Sequence, residues 1–527
     1  METQATVDAR QFSRLAEHLI LQIEKAEEKS HHKKIVVNPL VSKFASLYEK
    51  LRNAMDYREG EVIMRAAIER ILKRRIILGG NGKKVAEPLI RELVWARYFP
   101  DDSLSEAIVG TVEKKIDLYL QLRNSLIEQK ILGESQASEW MYQLLSSDIE
   151  YILHPMKEKE LVNSFMYQIM RENISITDDT EQNRDIQVLI AVRKAFAKHD
   201  LAFLRYHLFT QFFGEVSDSS FASIVKNFQA GYKEIQAQLD YARKDRIYTY
   251  VKSKTGVFFI LEDLLHINKG NIKTLYADKE TFKTTVFAVC QARYGKIRDR
   301  VQRAIIRSIV FILLTKVFFA FAVEGTFESL FYGRIYWNAI LANTIIPPLL
   351  MVGAALFLKT PKDDNSALIL SYIQTVLSEE NARLGSPLGI KKHPDKKPFL
   401  YAIFTTLWFL TFLVAFGGVI FFLTKLHFQI VSQMVFLFFL AIVSFLAYRI
   451  GIMAREYTVE AKQGLSTPLY DFFVMPVVRV GRHLTEGISQ INIFLFVFDF
   501  IIETPFKGIF SFVEQWFFFL HAKREEL

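Results

Sequence analysis

LYAIFTTLWFLTFLVAFGGVIFFL, residues 400–423, runs without one charged side chain. At 1.5 Å per residue a helix of this length crosses a hydrocarbon layer of ~30 Å. Three further apolar runs share its neighbourhood: Ile305 to Val323, Trp337 to Leu358 and Gln429 to Tyr448. Each is roughly 19 to 24 residues long, enough to span. A buried core helix seldom stays apolar on every face for so long, so four membrane spans are expected.

Orientation is read from the flanks, because Lys and Arg near span ends are retained on the cytoplasmic side. Arg293, Lys296, Arg298, Arg300, Arg303 and Arg307 stand at or before the start of span one. Lys359, Lys362, Arg383, Lys391, Lys392, Lys396 and Lys397 lie between spans two and three. The opposite connections, Glu324 to Tyr336 and Thr424 to Phe428, carry only Arg334 and Lys425, with Glu324 and Glu328 as acidic residues. Both termini are therefore expected to be cytoplasmic, with Arg449 and Arg455 flanking the exit of span four.

Composition supports a mixed protein. Hydrophobic residues make up 50% and Phe alone numbers 46 of 527, yet charged residues still reach 23%, which requires a substantial part outside the bilayer. The net charge of +9 is modest, and its basic clusters flank the spans. Anionic lipid headgroups account for them, above all for the Arg293 to Arg307 cluster. The aromatic and basic residues follow no nucleic-acid-binding module, so no nucleic acid is expected as a partner. One cysteine, Cys290, excludes an intrachain disulfide framework and reads as a small packing residue. The first 30 residues are polar and charged without a sustained apolar core, so targeting is expected to rest on the internal spans.

Upstream of the spans the pattern is helical and the fold class is all-α. Phe12, Leu15, Leu19, Ile20 and Ile23 recur at helical spacing, as do Leu40, Phe44, Leu47, Leu51 and Met55, and then Val62, Ala66, Ile68, Ile71 and Leu72. Asn38 before Pro39 predicts a helix start, Gly79-Gly80-Asn81-Gly82 a stop, and Ser103 with Glu106 a capping box. Only Ile35 to Val37 and Arg246 to Val251 lean toward strand. The acidic stretch Asn173 to Asp185 lacks an apolar stripe and is expected to separate two lobes. The expected organisation is a helical lobe over 1–172, a polar linker over 173–185, a second helical lobe over 186–304, four spans over 305–448 and a C-terminal region over 449–527. Within the connection 359–399, Leu368, Ile369, Tyr372, Ile373, Val376 and Leu377 predict a one-sided helix against the membrane or the lobes.

Chemical motifs are few. Gly79 to Lys84 invites a phosphate-loop reading, but Ile77 and Lys84 occupy the places that need Gly and Ser or Thr. His31 and His32 sit in a polar stretch. His154, His199 and His207 have no Cys or carboxylate at metal-ligand spacing, so neither a metal nor another cofactor is expected. Ser386 stands at the wrong place for a nucleophile elbow, and no catalytic motif is found. Lys316 stands out, because an ammonium near the middle of span one costs on the order of 2.5 to 3.5 kcal/mol on insertion scales. It is expected either to face an aqueous path or bind an anionic group, or else to snorkel or be satisfied by Asn343 or Thr344.

The second unusual element is the Phe-rich tail from Ser489 to Leu520. At ~100° per residue, Asn492, Asp499, Glu503, Lys507 and Glu514 share an arc of about 80°, opposite Phe494, Phe498, Ile501, Phe512, Trp516 and Phe519. With Pro505 interrupting it, the tail reads as an interfacial or re-entrant amphipathic element, and Leu469 to Val480 as a shorter interfacial one. If the tail instead enters the bundle, Asp499 or Glu503 becomes the counter-charge of Lys316. The leading expectation is a non-enzymatic membrane scaffold that binds a protein partner or a second copy through its helical lobes. The alternative is a transport or channel component using Lys316 and the polar stripe Asp499, Glu503 and Lys507; an enzyme acting on lipid stands behind both.

Overall fold

The helix that carries the first long apolar run begins well upstream of it. In this computed structural model the described residues are 12–25, 62–459 apart from 78, 101–102, 156, 334, 336 and 394–397, and 467–490, with isolated positions within 42–49 and 508–520. Asp278 caps the helix Lys279–Phe319 by accepting from the backbone N–H groups of Glu280 and Thr281. A π-helical segment, Ala320–Gly325, and the helix Thr326–Tyr332 continue it until Gly333, whose φ of +63° ends the run. Its first half buries Phe282, Val286, Cys290, Tyr294, Ile297 and Val301 on one face. Beyond them the exposed side becomes apolar, with Ile306, Val310, Leu314 and Phe318 turned outward, as a lipid-facing helix requires.

Among the described residues, four helices are long and apolar enough to cross a membrane: Lys279–Phe331, which contains span one, then Trp337–Leu356, Pro398–Lys425 and Ile430–Ala454. The other described residues are mostly helical too, with two strands of three residues each, which makes the chain all-α. Two large clusters of buried side chains organise it. One joins helices Ile63–Ile77, Gly82–Trp95, Ala107–Glu128 and Glu134–Leu153 to Leu201–Phe213 and Phe221–Leu239. The other joins Arg14–Lys25, Lys157–Glu172, Glu181–Ala195 and Thr255–Ile267 to the first half of the long helix. It continues without a break into the spans through Ile312, Met351, Val435, Phe439 and Val443.

Residues 173–185, expected as a polar linker, hold a strand and the first turn of the next helix. Strand β1, Ile174–Ile176, pairs in parallel with β2, Leu388–Ile390, placing Ile174 opposite Leu388. Asn173 fastens the same crossing by donating from Nδ2 to the Ala382 carbonyl at 2.8 Å. Buried side chains on either side of this segment contribute to both clusters. The connection between spans two and three is thereby tied to the helical region. Its helix, Asp363–Ser378, buries Ile369, Ile373, Val376 and Leu377 against that region, using the stripe read from the sequence.

Three local expectations fare differently. The Gly79 to Gly82 stop forms, with Gly79 at φ +80° and Asn81 capping the next helix by accepting from the Lys84 N–H. The Ser103–Glu106 capping box does not, since Ser103 donates instead to the Pro100 carbonyl at 2.6 Å. Arg246 to Val251, the strand-leaning stretch, lies in the helix Lys244–Lys252, because Ile247 and Val251 sit one turn apart and are both buried. Ile35 to Val37, His31, His32 and Asn38-Pro39 lie outside the described residues.

The segment read as a short interfacial element becomes the helix Thr467–Gln490, which packs along spans three and four. Val477 meets Ala415 and Ala441, residues near the middle of those spans, and the Arg479 guanidinium lies 5.6 Å from the Trp408 ring centre. Small residues make this approach close: a Cβ on Gly481 would collide with the Ala441 carbonyl and with Phe445. Gly481→Ala is therefore expected to cost about 1 to 3 kcal/mol of packing and to push this helix off span four. Limited proteolysis in detergent should cut Gly481→Ala faster within 467–490. Gly417→Ala, at a site with nothing within 4 Å, should cleave as the parent does.

Candidate functional site

The π-helical turn decides where the acidic residues of span one point. Eight α-helical steps would leave Lys316 and Glu324 about 80° apart around the axis. A π turn takes one more residue than an α turn, which rotates Glu324 back onto the face of Lys316. Lys316 Nζ donates to Glu324 Oε1 at 3.1 Å and lies 4.5 Å from the centre of the Phe439 ring of span four. From span two, Asn343 Nδ2 donates to Glu324 Oε2 at 2.7 Å and to the Ser432 carbonyl at 3.1 Å. Ser432, in span four, donates from its hydroxyl to Glu328 Oε1 at 3.0 Å.

Lys316, Glu324, Glu328, Asn343 and Ser432 have no exposed surface at all. They form one connected polar chain through spans one, two and four. Asn343 Oδ1 is buried without a hydrogen-bond partner, since both neighbouring atoms of its amide are acceptors and claim the NH2 group. An open cavity of about 360 Å³ lies beside the π segment, lined by Ala320, Gly325, Thr326, Trp337 and Ile340.

This arrangement changes the reading of Lys316. The ammonium neither snorkels nor lacks a carboxylate, because its counter-charge is in its own span. Glu324 and Glu328, assigned from sequence to an outer connection, stand inside the bundle because the helix runs on to Tyr332. Asn343 takes part through Glu324, while Thr344 spends its hydroxyl on the Ile340 carbonyl at 2.8 Å. Asp499, Glu503 and Lys507 lie outside the described residues.

The basic cluster divides. Arg293 turns inward, donating to both carboxylate oxygens of Asp263 and, at 2.8 Å, to the Tyr457 hydroxyl. Lys296, Arg298, Arg300, Arg303 and Arg307 are exposed along the approach to span one, with Arg300 3.6 Å from Glu456.

A second cluster arises in the helical region, where the sequence showed isolated histidines. His199 precedes the helix Leu201–Phe213, His207 sits within it, and Glu160 comes from Lys157–Glu172. A nitrogen of each ring and a carboxylate oxygen lie within 4.8 Å of one another. Arg193 Nη1 donates to His207 Nε2 at 2.9 Å and to Glu160 Oε1 at 3.1 Å, and Nη2 donates to Glu160 Oε2 at 3.1 Å. Tyr151 donates its hydroxyl proton to Glu160 at 2.7 Å. Burial, reinforced by the Arg193 charge, holds both imidazoles well below their ordinary pKa, so each is neutral. His154 stays apart, edge-on to Phe99. No sequence spacing announces this grouping, because Glu160 reaches it only through tertiary packing.

Comparison of the chain with protein-family models, curated proteins and solved structures finds no match to any of them.

Proposed function

We propose that this chain is a transport or channel component whose charge-handling site is the Lys316–Glu324 pair, with both termini on the cytoplasmic side. The observation that supports this reading is the fully buried polar chain linking three spans. A helix bundle that only anchors needs no ionisable groups at this depth, and each carries a cost that apolar residues avoid. The π turn adds weight, since such turns in helices occur frequently at functional sites.

A scaffold reading is favoured by a different feature, the shared core that continues from the helical region into the spans. In that reading the partner binds the helical region, and the polar chain fixes the register of the bundle. Reconstitution into liposomes separates the two. Ion or proton flux under an imposed potential, read with an internal pH dye and with ion-selective electrodes, is expected from the parent protein. It should be abolished in the charge-free double variant Lys316→Leu/Glu324→Leu. Flux that is absent in the parent, or equal in the double variant, rejects the transport reading and leaves the polar chain as a structural lock.

A further inference from the structure

We propose that Glu160, His199 and His207 form a binding site for a divalent transition metal of the zinc class, with the Arg193 guanidinium standing where the cation would bind. The three residues offer the donors such ions select, two imidazole nitrogens and a carboxylate oxygen. A tetrahedral site needs ligand atoms about 3.3 Å apart, given metal–nitrogen distances near 2.0 to 2.1 Å. The atoms here lie within 4.8 Å, and the His199 and His207 rings stack at 4.9 Å with 9° between their planes, so convergence on one ion requires one ring to turn out of the stack.

The contacts of Arg193 show that the pocket is built for positive charge. Its two terminal nitrogens hold both Glu160 oxygens and take the Nε2 lone pair of His207, the electron pairs a metal would use. The fit is incomplete on both sides. His199 Nδ1 and Arg193 Nε are both buried without a hydrogen-bond partner, so one acceptor and one donor of the same cluster remain unsatisfied. A guanidinium is donor-only and planar, and from its present seat it leaves His199 Nδ1 without a partner.

Two neighbouring features complete the site. Tyr151 orients the carboxylate through its 2.7 Å hydrogen bond to Glu160, the outer-shell support that metal ligands depend on. A cavity of about 30 Å³ bounded by Glu150, His154, Lys159, Glu160 and His199 borders two of the three ligands and has room for one water. Loading requires Arg193 to withdraw, which makes the guanidinium a competitor of the metal. Removing its charge should strengthen binding.

The test uses full-length, tag-free protein in detergent, titrated with Zn²⁺ against a chelating dye and with Co²⁺ by visible absorption. Arg193→Gln is expected to bind one equivalent at least about 10-fold more tightly than the parent, because a cation within contact distance is gone. His199→Gln or Glu160→Gln placed in the Arg193→Gln background should each erase that gain and the cobalt bands of a four-coordinate site. Zinc should also raise the melting temperature of the parent chain and not of His199→Gln. The proposal is overturned if Arg193→Gln binds no more tightly than Arg193→Gln/His199→Gln, or if zinc leaves the melting of the parent unchanged; an ordered water alone then satisfies His199. Because the cluster lies outside the spans, its failure leaves the transport reading untouched.

Discussion

Lys316→Leu alone is expected to destabilise the purified protein strongly, whereas Lys316→Leu/Glu324→Leu recovers most of the loss. The single substitution strands the Glu324 carboxylate in a site with no exposed surface, where Asn343 remains its neutral donor. Removing one member of a buried ion pair typically costs about 3 to 5 kcal/mol, because the remaining charge stays desolvated. Replacing both by apolar side chains removes the charge as well as the pair. In other proteins such replacements are often neutral or stabilising. Glu324→Leu leaves an ammonium beside the Phe439 ring, whose cation–π attraction of about 2 kcal/mol replaces only part of the lost partner. A double-mutant cycle read by thermal melting on size exclusion in one detergent gives the coupling. Single and double variants all melting within about 2 °C of the parent would show that the pair is neither buried nor coupled as described.

Span positions were legible because they depend on composition alone. Four uncharged or nearly uncharged runs announce themselves in any register, and the stripe from Leu368 to Leu377 follows helical spacing. The ends of those spans were harder. Span one extends past Val323 because Glu324 and Glu328 are absorbed into the bundle by a π turn, and nothing in the order of residues marks a π turn. Lys316 was recognisable as an expensive residue, but its partner was sought in other spans or in the tail. The carboxylate eight residues downstream was assigned to the connection after span one, because the apolar run ends at Val323. The pairing of Ile174 with Leu388 joins segments more than two hundred residues apart, and three residues make too short a strand for periodicity to show. The His199, His207 and Glu160 grouping was invisible for a related reason: its spacing is set by how two helices pack, not by the chain.

Glu150→Gln is expected to stabilise the protein at alkaline pH and to do nothing at acid pH. Glu150 is 3% exposed, and its Oε2 is buried without a hydrogen-bond partner. Burial pushes this carboxyl up to about 8; Arg65 and Lys159 pull it down, and Asp200 pushes it further up. The folded pKa thus lies above that of the unfolded chain, near 4.5. Between these values the folded state holds more protons than the unfolded one. Stability contributed by this group is complete below about pH 4.5 and drains away as pH rises to about 8. At 1.36 kcal/mol per unit the loss amounts to several kcal/mol, on the order of 4. The amide of Gln has the same shape and never ionises, so the substitution removes this slope. His199 and His207 act in the opposite sense. Their depressed folded pKa values give stability that is present above the ordinary imidazole range and lost as pH falls through the folded values. The difference between Glu150→Gln and the parent cancels that contribution, which both share. Melting curves of the full chain in detergent from pH 5 to 8.5 should therefore coincide at the acid end and separate by several degrees at the alkaline end. Parallel curves across the whole range would mean that Glu150 is already ionised in the folded protein, with a partner for its charge.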